Sequence, residues 1–238
     1  MEKNNQLSRS PQDLASFIQF TRLNPDATRT QMTQHIELCA QHRFHAAMVA
    51  PCWVPLAKDM LAGTDVRTAS FIDFGMGNAS VSGKVALIRD LRRLGADEVD
   101  FAPNMGFFLS GMFAEFQEES RAIVEAADGM PVKVMLQMGM IADEGEKKRA
   151  IEILEESGVD WIKNSSGGWP PGATDATVED IRFIKRSLKG RSRVKASGGI
   201  NDFETALRLV EAGAELLGTS KGLEIIGAAA FERLSFSY

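Results

Sequence analysis

The sequence predicts an α/β fold, a (β/α)8 barrel of the TIM type. Three observations lead there: short β-branched or aromatic runs alternate with amphipathic stretches of helical period, eight such units can be counted, and a glycine repeatedly closes one helix just before the next strand starts. The 238 residues, 44% of them hydrophobic, suit one barrel whose core uses the whole chain. An open doubly wound sheet is the competing arrangement, and eight units in this length favour the closed one.

In chain order, strands are expected near residues 17–21, 46–50, 68–74, 98–102, 132–137, 159–163, 193–197 and 215–219. The first dozen residues are polar and read as a loosely packed extension (1–12), while Asn24-Pro25-Asp26-Ala27-Thr28 is a turn into the first helix. Residues 82–94 carry Val85, Leu87, Ile88, Leu91 and Leu94 on or near one stripe, so Lys84, Arg89, Arg92 and Arg93 are expected to face water. The segments 94–100 (LGADEVD), 157–163 (SGVDWIK) and 212–218 (AGAELLG) echo one another, as a reused βα module would. Residues 222–238 are expected to form a C-terminal helix and tail, and the whole of 1–238 one domain.

Composition excludes several functions. A net charge of -5 provides no basic field for a phosphate backbone, so nucleic acid is not an expected partner. No apolar run approaches the roughly 20 residues of a membrane span, and a polar N-terminus without a signal-like apolar core points to a cytoplasmic protein. Cys39 and Cys52 form no C-x-x-C pair and are expected to be ordinary buried thiols. His35, His42 and His45 cluster around the first helix without a carboxylate-rich ligand set, so they are read as a solvated face and not as a metal site. In 74–80 (FGMGNAS) the third glycine of a dinucleotide fingerprint is a serine, which removes that reading. The four methionines from Met130 to Met140 read as core filler, and Phe107, Phe108, Phe113 and Phe116 as helix packing or a subunit contact.

The chemistry should lie where polar residues end barrel strands. Asp100, Lys163 and Lys195 do so. An ordinary lysine, with a pKa near 10.4, is protonated at neutral pH and cannot attack a carbonyl; burial and a second ammonium both favour the neutral amine. Lys195 beside Lys163 would supply that second charge. Both lysines precede glycine-bearing turns, and Gly198, Gly199 and the 218–222 segment (GTSKG) fit an anion site, to which Lys221 could add a charge.

Five motifs, GADEVD (95–100), WIKNSSG (161–167), ATVED (176–180), VKASGGI (194–200) and PCWVPLAK (51–58), resemble the corresponding runs of deoxyribose-phosphate aldolases, in order along nearly the whole chain. The resemblance implies a TIM barrel and a class I aldolase needing no metal or other cofactor, joining acetaldehyde reversibly to glyceraldehyde 3-phosphate. It implies that Lys163 forms the Schiff base, that Lys195 lowers its pKa, and that Asp100 moves protons through a water. Gly167, Gly198, Gly199 and Ser220 would hold phosphate, with Thr21, Asn104 and Lys221 also in the substrate set. A homodimer is implied by analogy, as is a role for the terminal Tyr238 near the substrate. Other Schiff-base sugar-phosphate aldolases or transaldolases, and a phosphate-binding barrel without turnover, are the alternatives.

The resemblance is broken at several positions. Where the family carries an Asp-x-Thr pattern on the first strand, this chain has Gln19-Phe20-Thr21, and glutamine cannot ionise. The family's Glu-Thr at the end of the fifth strand is Gln137-Met138 here, its V-x-N-x-G after Asp100 is 102–106 (APNMG), the loop after strand three carries Asp73, and Lys221 replaces a serine. These changes imply a remodelled pocket and a shifted substrate preference.

Overall fold

The structure is a computed structural model and describes residues 10–167 and 173–229. Eight strands among these residues, β1 (Ile18–Arg22), β2 (Ala46–Val49), β3 (Arg67–Ile72), β4 (Glu98–Phe101), β5 (Val132–Met135), β6 (Trp161–Lys163), β7 (Arg193–Ser197) and β8 (Leu216–Thr219), pair in parallel in sequence order. β1 also pairs with β8, which closes the barrel. The helices around it are α1 (Arg29–Gln41), α2 (Val54–Met60), α3 (Val81–Leu94), α4 (Met105–Leu109), α5 (Phe113–Ala127), α6 (Glu144–Glu156), α7 (Val178–Ser187), α8 (Phe203–Glu211) and α9 (Gly222–Ile225).

Strand alternation sorts the two faces of the barrel wall. Val99, Phe101, Val132, Val134, Ile162, Val194, Ala196 and Leu217 point outward into the large apolar cluster shared with the helices. Their neighbours point inward, where Ala46, Met48 and Ala69 form only a small separate apolar cluster. Met135, Trp161 and Leu216 share that inward parity, and among them the interior buries a polar set, Gln19, Glu98, Asp100, Lys133, Lys163 and Lys195. This inversion explains why the helix-facing side holds most of the hydrophobic core and the barrel axis holds the ionisable groups.

The eight expected strands are present, and two end early for a backbone reason. Asp73 (φ 49°) turns out of β3, and Gln137 (φ 56°) turns out of the segment after β5, both in the left-handed region that a strand cannot continue through. The three echoed glycines, Gly95, Gly158 and Gly213, all have positive φ (97°, 89° and 116°), the conformation that stops a helix so that a strand can follow at once. Thr28 caps α1, its side chain accepting from Gln31 N, as the preceding turn implied.

The start of the chain departs from expectation: 11–17 form a 3-10 helix whose Leu14 is fully buried, and Gln12 Nε2 donates to the Ile226 carbonyl. The part of the expected extension before Ser10 lies outside the described residues, as does the tail from 230 onward, including Tyr238. α3 also departs. Lys84, expected in water, is 0% exposed, whereas Leu87 is 44% exposed. The Lys84 ammonium donates to the carbonyls of Gly77 (2.8 Å) and Ala102 (2.9 Å) and to Glu119 Oε1 (2.8 Å), with Asp73 Oδ2 3.4 Å away. It therefore ties the loops after β3 and β4 to α3 and α5. Burial raises the Glu119 carboxyl's pKa against the opposing pull of Lys84.

The histidines and cysteines also need correcting. His35 is buried against the Phe20 ring (centroids 4.6 Å), and burial first, then the Arg22 charge, lowers its pKa to about 3. His45 Nε2 lies 2.9 Å from Glu98 Oε1. Cys39 is buried, and burial pushes its thiol up; Cys52 is exposed at the start of the segment leading to α2. Among the described residues no group of His, Cys, Asp and Glu is arranged to hold a metal ion, and no helix is long and apolar enough to cross a membrane. Phe108 and Phe116 pack together with ring centroids 5.2 Å apart, and Phe108 also meets Phe113 edge-on.

Candidate active site

Lys163 and Lys195 are register partners on adjacent strands, so their side chains rise from the same level of the barrel interior. Asp100, across the axis on β4, meets both: its Oδ2 accepts from Lys195 Nζ at 2.6 Å and from Lys163 Nζ at 3.5 Å. The pair are 1% and 5% exposed, and Asp100 is 1% exposed, so water screens none of these charges effectively. Asp100 Oδ1 is buried and accepts no hydrogen bond from the described residues.

Below this triad lies a second ionic layer. Lys133 Nζ is 2.6 Å from Glu98 Oε2 and 3.7 Å from Asp100 Oδ1. Glu98 is also contacted by His45, by Arg67 and by Gln19, whose Nε2 donates to Glu98 Oε2 at 2.5 Å. Gln19 Oε1 in turn accepts from Lys195 Nζ. Six buried groups thus run continuously from Glu98 at the foot of the barrel to Lys163 near its mouth.

The titration of each group follows from this packing. Burial lowers the Lys163 pKa, Lys133 lowers it further, and Asp100 opposes both. Burial also takes Lys195 down to about 7; Asp100 opposes, and Lys163 and Lys133 add to the fall. Asp100 is the reverse case: burial would raise its carboxyl, but Lys195, Lys163 and Lys133 outweigh that and hold it below the usual range. Glu98 is held below its ordinary value too, Lys133 and His45 overcoming the effect of burial. The sequence assigned the part of charged neighbour to Lys195; at Lys163 it is Lys133 that takes it, while Lys195 is itself lowered by Lys163 and Lys133. In a cluster of this kind burial favours the uncharged form of a lysine amine beside a carboxylate held in its ionised form.

The cluster opens into a cavity of about 560 Å³ at the C-terminal ends of the strands. Asp100, Lys163 and Lys195 lie at its base with Thr21, and Gly167, Gly198, Gly199 and Ser220 line it as well. Asn104 is absent from the lining: its Oδ1 caps α4 by accepting from Phe107 N (3.2 Å), and its own N–H donates to Glu119. Lys221 is also absent from it, its ammonium lying 3.2 Å from Glu224. The wall includes Met48, Phe71 and Phe74, which the sequence did not single out.

Gln137 is a further residue whose placement only the structure gives. It is buried at positive φ, its Nε2 donates to Ser166 Oγ (2.7 Å), and its Oε1 accepts from Ser166 N (3.2 Å). It so anchors the turn that carries Gly167. Lys133 and Glu98 had a signal in the sequence: both sit one alternation from outward-facing valines, and Glu98 shares the parity of Asp100 on β4.

Residues 18–229 match the profile of the DeoC/LacD family aldolase, most of the chain and all eight strands. The chain belongs to the DeoC/LacD aldolase family. It is a class I aldolase, a lyase, and its relatives share nearly its whole length. The deoxyribose-phosphate aldolase of Brevibacillus brevis is 36% identical over 217 residues, covering 91% of this chain and 96% of its own. That of Desulfitobacterium hafniense DCB-2 is 38% identical over 216 residues, covering 90% and 97%. Among solved structures, the aldolase QR15 superposes with a TM-score of 0.84 at 33% identity, covering 92% of this chain and 96% of its own. The tetrameric deoxyribose phosphate aldolase of Aeropyrum pernix gives 0.82 at 26% identity over 94% of each chain.

Proposed function

We propose that this aldolase forms an imine through Lys163 and cleaves reversibly the C2–C3 bond of 2-deoxyribose 5-phosphate or a closely related sugar, giving acetaldehyde and glyceraldehyde 3-phosphate. The observation that carries the reading is the shared contact of two buried lysines with one oxygen of Asp100. Burial favours the neutral amine, and of the two lysines Lys163 stands further from the carboxylate that would hold a proton on it.

In the cleavage direction the neutral Lys163 Nζ attacks the C1 aldehyde to give a carbinolamine, which loses water to become an iminium. Removal of the C3 hydroxyl proton lets the C2–C3 electrons move into the iminium, releasing the phosphorylated aldehyde and leaving an enamine. Protonation at C2 and hydrolysis then free acetaldehyde and restore the amine. Asp100, with Oδ1 available as an acceptor and Lys195 on Oδ2, is the proton carrier in this scheme. Thr21 lines the base, and Gly167, Gly198, Gly199 and Ser220 would hold the far end of the substrate.

Reductive trapping tests it: incubate with acetaldehyde or the sugar phosphate, reduce with borohydride, and locate the adduct by mass spectrometry. The expected result is one adduct on Lys163, abolished in Lys163→Met, together with retro-aldol turnover. An adduct confined to another lysine, or none with either carbonyl, overturns the assignment. A cytoplasmic homodimer completes the reading; light scattering checks the assembly, for which the exposed Leu109 and Met112 near the α4–α5 turn offer apolar surface.

A further inference from the structure

The far end of the cavity is built from the Gly198-Gly199 turn after β7, and one acidic side chain lies across it. Asp175 belongs to the stretch entering α7, and the next residue anchors it, Ala176 N donating to the Gly198 carbonyl at 3.0 Å. Its side chain rests against the turn so closely that a Cβ on Gly199 would lie 2.6 Å from Asp175 Cγ and 2.7 Å from Oδ2. A Cβ on Gly198 would lie 3.0 Å from Asp175 Cα and 3.2 Å from Oδ1. Gly199, at φ 67°, is thus required both by its backbone and by the carboxylate that covers it.

Among the described residues the Asp175 carboxylate has no hydrogen-bond or ion-pair partner, and it lines the cavity. The other charged groups in that lining are Asp100, Lys163 and Lys195, which are engaged with one another at the base. The far end of the described cavity therefore carries a negative charge and no cationic side chain. A phosphate dianion placed on the glycine turn meets a like charge, whereas a hydroxyl can donate to the free carboxylate oxygens.

We infer that Asp175 is a specificity-determining residue that makes the far end of this cavity a site for a neutral, hydroxyl-bearing chain end in preference to a phosphate. The inference rests on the aldolase reading above for the bond cleaved and shifts its substrate preference: a 2-deoxy sugar or hydroxyaldehyde ending in a free hydroxyl, which would release an unphosphorylated aldehyde, is favoured relative to its phosphate ester. The sign of the effect follows from Coulomb repulsion between adjacent like charges, worth about tenfold in affinity at a partly solvated site.

The test compares kcat/KM for 2-deoxyribose and 2-deoxyribose 5-phosphate in the wild type, Asp175→Asn and Asp175→Glu at low ionic strength. Asp175→Asn, which keeps the shape and removes the charge, is expected to raise the phosphate-to-free-sugar ratio about tenfold, mainly through KM of the phosphate ester. Asp175→Glu should stay close to the wild-type ratio. An Asp175→Asn ratio within twofold of wild type, or one that falls, overturns the inference. Calorimetric titration of inorganic phosphate gives a readout independent of turnover: tighter binding by Asp175→Asn supports the inference, and equal binding overturns it. If the wild type cleaves neither sugar, the aldolase reading fails, and the phosphate titration decides the role of Asp175 separately.

Discussion

The Gln19 amide joins a carboxylate to an ammonium inside the barrel, donating to Glu98 Oε2 at 2.5 Å and accepting from Lys195 through Oε1. An amide is suited to this position because it offers a donor to one neighbour and an acceptor to the other without adding charge. The sequence presents Gln19 as a missing acid; the structure presents it as the neutral link of the ionic column. Gln19→Leu leaves both charged partners short of one buried hydrogen bond and is expected to cost about 3 kcal/mol. Urea denaturation at neutral pH measures it, and a loss under about 1 kcal/mol would remove Gln19 from this structural role.

Lys133 faces the same column and lowers the Lys163 pKa, so its removal should act on chemistry at a distance. Lys133→Met takes away a positive charge, raises the Lys163 pKa and shifts the pH midpoint of imine trapping upward by about one unit. The trapping rate followed from pH 5 to 10 reads this directly. A profile that overlays the wild type, with folding intact by circular dichroism, would show that Lys133 is only a partner for Glu98.

Lys195 links the site to stability. Its pKa is about 7 in the folded protein, well below that of a lysine in an unfolded chain. Between these values the unfolded chain binds a proton that the folded chain has released, so stability rises with pH across this window and the penalty is fully present below it. The total is about 5 kcal/mol for an isolated group with this shift. From pH 7 to 10, therefore, the wild type should gain stability relative to Lys195→Met. Parallel stability curves for the two proteins would contradict the depressed pKa.

Lys84 and Glu119 form a buried pair outside the site, and breaking it from one side should be costly. Lys84→Met strands the Glu119 carboxylate and frees the carbonyls of Gly77 and Ala102, for an expected loss of about 3–5 kcal/mol. Lys84→Met combined with Glu119→Leu removes both charges and should recover a large part of that loss. A double mutant less stable than Lys84→Met would assign the stability to something other than the ion pair.

The outward-facing half of the barrel was readable because alternation and helical period are local: Val132, Val134, Ile162 and Val194 stand where the pattern requires apolar residues. Lys163, Lys195 and Asp100 were readable because an ionisable residue inside an apolar strand needs a reason to be there. The same rule applied to the alternation of β4 and β5 reaches Glu98 and Lys133. Lys84 escaped it, since a lysine on an amphipathic helix has an ordinary explanation in solvent, and nothing local reveals the carbonyls of two distant loops converging on it. His35 and Cys52 were misplaced for a related reason: exposure at a helix or loop depends on what packs across from it.

From its sequence alone, this protein's strand order, its outward apolar wall, its family resemblance and the identity of the three strand-end ionisable residues could be determined, because each depends on residue type and short-range spacing. Tertiary structure alone decided that Lys163 and Lys195 share one oxygen of Asp100, that Gln19 and Lys133 join them to Glu98, and that Asp175 covers the Gly198-Gly199 turn. Electrostatic energy varies with distance and burial, and both arise only when segments far apart in the chain are brought to the same end of the closed sheet.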